Sequence, residues 1–189
     1  MSQAFSLAEE GAKLSATAHN VDPSLRFPSV TLAMEEGPLI LDFGRVYLIP
    51  HERLDRAVEI ITKLSKIQGD IVCVSRMHPG QVFERWPMAR MTTYWLSQRE
   101  GEGNIQPQRL DQVGQAISQY LERSYHGVAI LDGLEYLAMH NDFKAINMMF
   151  EELNDEVMAT RSMLLIPLDP RLLEPLHLAR LRRFAELVL

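Results

Sequence analysis

The chain is poor in the residues that carry covalent and metal chemistry. Of its 189 residues 1 is cysteine, Cys73, set in the apolar run Ile71–Ser75. A lone thiol excludes a disulfide framework or a cysteine-based zinc site within one chain. Its apolar setting makes Cys73 a small buried hydrophobe rather than a nucleophile. The histidines number 6; His126, His140 and His177 fall at element boundaries, with no His-Glu-x-x-His or comparable ligand spacing, so no metal site is expected. Glycine is sparse, at 10 residues, and never forms Gly-x-x-x-x-Gly-Lys-Ser/Thr. The turn after the first regular strand reads Ile49-Pro50-His51-Glu52-Arg53, with no glycine to let backbone amides surround a phosphate. Phosphoryl transfer by the phosphate-loop route is therefore not expected, nor is a cofactor. Gly101 and Gly103 stand in an acidic loop, Glu100–Asn104, which repels phosphate.

Long apolar runs are missing as well. None approaches the about 20 residues a membrane helix needs. The first residues, Met1–Lys13, carry acidic side chains where a secretory leader carries basic ones, so a cytoplasmic setting without membrane contact is expected. The net charge of -6 argues against nucleic acid, since duplex binding needs a basic face to displace counterions. Aromatics make up 7% of the chain, and Trp86 and Trp95 read as buried or interfacial anchors.

What remains is an ordinary globular composition, 47% hydrophobic and 23% charged, with material for one core. Residues 1–44 read as an N-terminal extension: a weakly amphipathic helix up to about Asn20, a proline-punctuated loop to Pro28, then Ser29–Met34 and Leu39–Phe43 as two strands around a tight acidic turn. Residues 45–189 read as a single domain. Val46–Ile49 is a strand, and Pro50 is placed to open a helix with the stripe Leu54, Ala57, Val58, Ile61, Leu64 and Ile67, ended by Gly69. Ile71–Ser75 is the second strand, followed by a short helix at Gln81–Arg85; Met91–Leu96 is the third. A helix over Pro107–Ser124 carries Leu110, Val113, Ile117 and Leu121, with Gly114 as a small contact. Val128–Leu131 is the fourth strand, Asn141 caps a helix carrying Phe143, Ile146, Phe150, Leu153 and Val157, and Ser162–Leu168 is the fifth strand. A last helix starts near Pro175, with Arg180, Arg182 and Arg183 outward. Alternating strands and helices imply a mostly parallel, five-stranded α/β sheet covered by helices on both faces.

In such a sheet the strand C-termini share one edge, where ligands dock. That rim holds His51 and Glu52, Arg76 and His78, Ser97, Gln98 and Arg99, Asp132 and Glu135, and Asp169 and Arg171. Asp132, after four apolar residues, stands where nucleotide-hydrolysing folds place a magnesium-side carboxylate. With no phosphate loop opposite, it reads instead as a turn carboxylate that accepts amide hydrogens or pairs with Arg76. Arg76 and His78 form an anion-binding or proton-shuttling pair, or else Arg76 neutralises Asp132 or Glu135 and His78 caps the next helix. The candidate ligand-binding residues are Arg76, His78, Asp132 and Glu135; no residue is assigned a catalytic role, since no nucleophile pairs with the histidine.

The segments Tyr47–Ala57, Val74–Pro79, Tyr94–Gln98, Ala129–Phe143 and Leu164–Leu173 resemble the domain-of-unknown-function family 835, over roughly Arg45–Leu189. More distantly, the order of elements is similar to RecA-like and KaiC-like ATPase cores whose phosphate loop is lost. The resemblance carries no established activity. Because the family is often attached to sensory or regulatory modules, it implies an adaptor or signalling role. Two functions follow as expectations. The first is a non-enzymatic regulatory or scaffold module that binds a protein partner, forms a homo-oligomer, or both. The alternative is a small-ligand or nucleotide-binding domain using the four rim residues, with weak hydrolase activity.

Overall fold

The computed structural model describes residues 28–50, 54–68, 70–86 and 90–188. The N-terminal helix, the loop before Pro28, His51, Glu52 and the helix-ending Gly69 of the sequence reading lie outside them. The strands are β1 (Ser29–Met34), β2 (Gly37–Asp42), β3 (Arg45–Pro50), β4 (Ile71–Ser75), β5 (Met91–Leu96), β6 (Asn104–Ile105), β7 (Val128–Asp132), β8 (Met163–Leu168) and β9 (Ala185–Leu187). The helices are α1 (Leu54–Gln68), α2 (Pro79–Arg85), α3 (Leu110–Arg123), α4 (Leu134–His140), α5 (Phe143–Ala159) and α6 (Pro175–Leu181).

The main sheet is wholly parallel and has seven strands rather than five, in the order β6-β5-β4-β7-β8-β3-β9. The two additions, β6 and β9, span two and three residues, too short to show a period in sequence. Successive strand side chains point to opposite faces, so each strand feeds two cores. On one face Val72, Val74, Ala129, Leu131, Leu164 and Ile166 pack with α3, α4, α5 and α6. On the other, Ile71, Cys73, Ile130 and Leu165 pack with α1, α2 and the β1–β2 hairpin. Burial on both faces explains why these strands read as unbroken apolar runs. Cys73 is fully buried, and that burial pushes its thiol well up, so the reading of a buried hydrophobe holds.

Three local expectations are corrected. Pro50 does not open a helix; it closes β3, paired with Leu168, at a strand end where a missing N–H is tolerated. In α1 the buried stripe is Ala57, Ile60, Ile61 and Leu64, whereas Ile67 is 56% exposed in the last turn. Asn141 does not cap α5. It ends α4 in extended backbone, its amide donating to Leu137 O at 2.9 Å and Pro107 O at 2.7 Å. The cap of α5 is its neighbour Asp142, which accepts from Lys144 N at 2.9 Å. Both residue types favour that position, so sequence alone could not choose between them.

The hairpin falls within the span read as an extension, yet Leu32, Met34 and Leu41 are buried in the same cluster as α1. Lys63 on α1 donates to the Ala33 carbonyl, and Arg56 pairs with Glu36 of the turn. The outer edge of β2 is blunted at both ends: the Tyr47 hydroxyl accepts from Asp42 N at 2.7 Å and donates to Asp42 O at 3.2 Å, while Pro38 has no N–H to offer. Burial pushes the Tyr47 phenol up to about 12, so it stays a donor.

Candidate functional site

After β4 the chain turns to β5 on one side; after β7 it turns to β8 on the other. The adjacent tips of β4 and β7 therefore form a topological switch point, the usual ligand crevice of an open parallel sheet. The sequence-nominated residues stand there, but they do not converge as one set.

Asp132 ends β7 directly beside Ser75. Its Oδ2 accepts from Ser75 Oγ at 3.0 Å and lies 3.8 Å from the Arg85 guanidinium, and its side chain is only 18% exposed. Ser75 Oγ also accepts from Met77 N at 3.0 Å, and Arg76 N donates to Asp132 O at 2.8 Å, so the β4 turn is tied to the carboxylate through both side chain and backbone. The expected turn-holding role of Asp132 is thus visible. An ion pair joins it to Arg85 on α2 rather than to Arg76. Sequence reasoning missed Ser75 and Arg85, because a serine closing an apolar strand and an arginine closing a short helix carry no pattern of their own.

Arg76 turns the other way. Its guanidinium lies 4.4 Å over the Tyr136 ring and reaches the Leu96 carbonyl at 3.5 Å. Trp95 Nε1 donates to Arg76 O at 3.1 Å, and the Trp95 ring meets His78 edge-on at 5.0 Å. His78 caps α2, its Nδ1 accepting from Gly80 N at 3.2 Å. Gly133 then lets the β7–α4 turn pass close: its φ is +144°, and a Cβ there would stand 3.1 Å from Leu96 Cδ1 and 3.3 Å from the Arg76 backbone nitrogen. Trp95, Tyr136 and Leu96 thus crowd the switch point.

Glu135 faces β8. It accepts from Asp169 N, and Asp169 in turn holds Arg171 through bonds of 2.9 and 2.7 Å. Burial raises the Glu135 carboxyl above the usual carboxylate range, against the lowering effect of the Asp169 N–H; the Asp132 and Asp169 charges add to the rise. A raised folded-state pKa means the folded chain holds the proton more tightly, so the stabilisation is present at low pH and lost as pH rises through the folded value. Glu135→Gln keeps the acceptor oxygen and removes the ionisation. Its urea midpoint should therefore gain on that of the native chain as pH rises above about 4; a midpoint difference that stays flat as pH rises would contradict this assignment.

Among the described residues no cluster of three or more His, Cys, Asp or Glu side chains is placed to hold a metal ion, and no helix is long and apolar enough to cross a membrane. The fold and this rim define a doubly wound parallel α/β domain whose switch point is crossed by its own side-chain pairs. The chain belongs to the family described as protein of unknown function (DUF835), whose model matches residues 51–184. Among solved structures it is similar to one described as a structural study of Project ID PH0250 from Pyrococcus horikoshii OT3. The two share 12% identity over 77% of this chain and 80% of that one, with a TM-score of 0.54. That likeness bears on the fold alone. No curated protein matches the chain.

Proposed function

We propose that the chain is a non-enzymatic regulatory or scaffold module that acts by binding protein, on a core of the type that holds nucleotide in RecA-like ATPases. The observation that carries this reading is the filled switch point. Arg76 is committed to Tyr136 and Leu96, Trp95 to the Arg76 carbonyl, and Asp132 to Ser75 and Arg85. A binding crevice needs convergent polar groups around open space; these groups converge on one another. Adaptor or signalling work in the cytoplasm, with another protein or a second copy as partner, belongs to the same proposal.

A thermal-shift titration with nucleoside triphosphates, diphosphates and inorganic phosphate, with and without magnesium, tests it. The expected result is no shift for any of them. A ligand at a hundredfold excess over its dissociation constant stabilises by about 2.7 kcal/mol. A shift of that size, abolished by Arg76→Ala, would overturn the proposal in favour of a ligand site built from Arg76, His78, Asp132 and Glu135.

A further inference from the structure

In a chain of net charge -6 cations are the scarcer sign, and Arg45, Arg56, Lys63, Arg85, Arg109 and Arg171 each pair with a carboxylate. Lys144, Arg180 and Arg183 pair with none among the described residues, yet all three line one cleft of about 140 Å³ between α5 and the end of α6. Asn147, Glu151 and Phe184 complete its walls. Asn147 Nδ2 donates to Glu151 Oε1 at 2.9 Å, while Asn147 Oδ1 is buried with no donor. A buried acceptor left unsatisfied is uncommon in a folded protein and marks a wall whose polar partners are incomplete. Helix electrostatics accounts for only part of the cluster. Arg180 stands in the last turn of α6, and Arg183 just beyond it, where a helix dipole favours cations. Lys144 stands in the first turn of α5, where the dipole opposes one, and that turn carries no acidic residue. Asp142, the α5 cap, gives its carboxylate to Lys144 N and does not line the cleft.

Resting on the reading as a protein-binding module, we infer that this cleft receives a phosphoryl group carried on a side chain of the partner protein. Charge selects the group. Three cations against the Glu151 carboxylate leave two positive charges in excess. A phosphomonoester carries about -1.5 to -2 near pH 7, whereas a carboxylate or a phosphodiester carries a single charge and leaves the cleft half neutralised. Guanidinium groups also meet phosphate oxygens in parallel pairs of hydrogen bonds. Size selects the carrier. Pockets that enclose a whole small ligand measure about 300–1,000 Å³, so a cleft of about 140 Å³ holds the charged group and leaves the rest of its bearer outside. Exposed cations hold free phosphate weakly, because water and salt screen them; a peptide adds contacts along the surface beside the cleft. A nucleic acid backbone would need the basic track to continue, and along α5 it gives way to Glu151, Glu152, Asp155 and Glu156.

An array of phosphoserine peptides with varied flanking residues, set beside the same peptides unphosphorylated and with glutamate at the central position, tests the inference on the full chain. Phosphopeptides should be retained and their two counterparts should not. Arg180→Ala and Arg183→Ala should each weaken retention about tenfold, the worth of one hydrogen bond to a charged group, with the circular dichroism spectrum unchanged. Arg182→Ala, at an exposed neighbour outside the cleft, should bind as the native chain does. Glu151→Gln removes the opposing charge and keeps an acceptor for Asn147, so it should tighten binding. Retention that does not depend on phosphate, equal retention of the glutamate peptides, or an equal loss in Arg182→Ala would overturn the inference and leave the protein-binding reading standing. Stabilisation by inorganic phosphate alone that is lost in Arg183→Ala would overturn the peptide as carrier, whereas stabilisation lost in Arg76→Ala strikes the protein-binding reading itself. Preferred capture of a single-stranded oligonucleotide by the same three cations would overturn the inference in favour of nucleic acid.

Discussion

Phe150→Ala should remove about 3–5 kcal/mol of folding stability, the range for deleting a fully buried phenylalanine. Phe150 is 1% exposed in the middle of α5, the helix whose Ile146, Met149, Leu153 and Val157 join α3 to the sheet. Truncation takes away the ring's transfer energy and leaves a void that close-packed neighbours fill only in part. Against a total of about 5–15 kcal/mol for a domain, that loss is a large share of the stability. Urea denaturation should show a fall in midpoint with an unchanged slope, and Phe150→Leu should cost much less. Equal losses for the two would mean that α5 is not held by this ring.

Gly133→Ala is the second large effect, and it acts on the switch point directly. At φ +144° and ψ 26° the backbone lies where an L residue is strained whatever the space around it. The added methyl also meets Leu96 and Arg76 at 3.1 and 3.3 Å, and a backbone nitrogen cannot step aside as a side-chain tip can. A loss of about 2 kcal/mol or more is expected, together with displacement of Arg76 from Tyr136. Tyrosine resonances near Arg76 should move in the variant; a stable protein with those signals unchanged would show that the turn tolerates a side chain.

How much of this was legible in sequence follows from the range of the interactions. The α3 stripe Val113, Ile117 and Leu121 and the α5 stripe from Phe143 to Val157 could be read because each helix repeats its apolar face every turn. Strands β4, β7 and β8 could be read because two cores demand side chains on both faces. What stayed hidden depended on pairs far apart in the chain. Ser75 gains meaning only when β7 sets Asp132 beside it, and Arg76 only when Tyr136 comes round under its guanidinium. Strands β6 and β9 exist because β5 and β3 offer them a ladder, not because Asn104–Ile105 or Ala185–Leu187 would form one alone. Arg76, Asp132 and Glu135 could be placed at strand ends from the sequence, but their division among groups facing β5, α2 and β8 required the coordinates.

The position of β3 has a consequence for biosynthesis. The earliest strand of the main sheet lies between β8 and β9, its two latest. During translation β4, β5 and β7 are all available before either neighbour of β3 has been made. Until then Val46, Leu48 and Ile49 form an apolar strand with both edges bare. Such late, long-range closure slows folding and prolongs the interval in which edges can pair with other chains. Nascent chains halted before Met163 should therefore engage holding chaperones through β3, and release should coincide with the emergence of β8 from the ribosome.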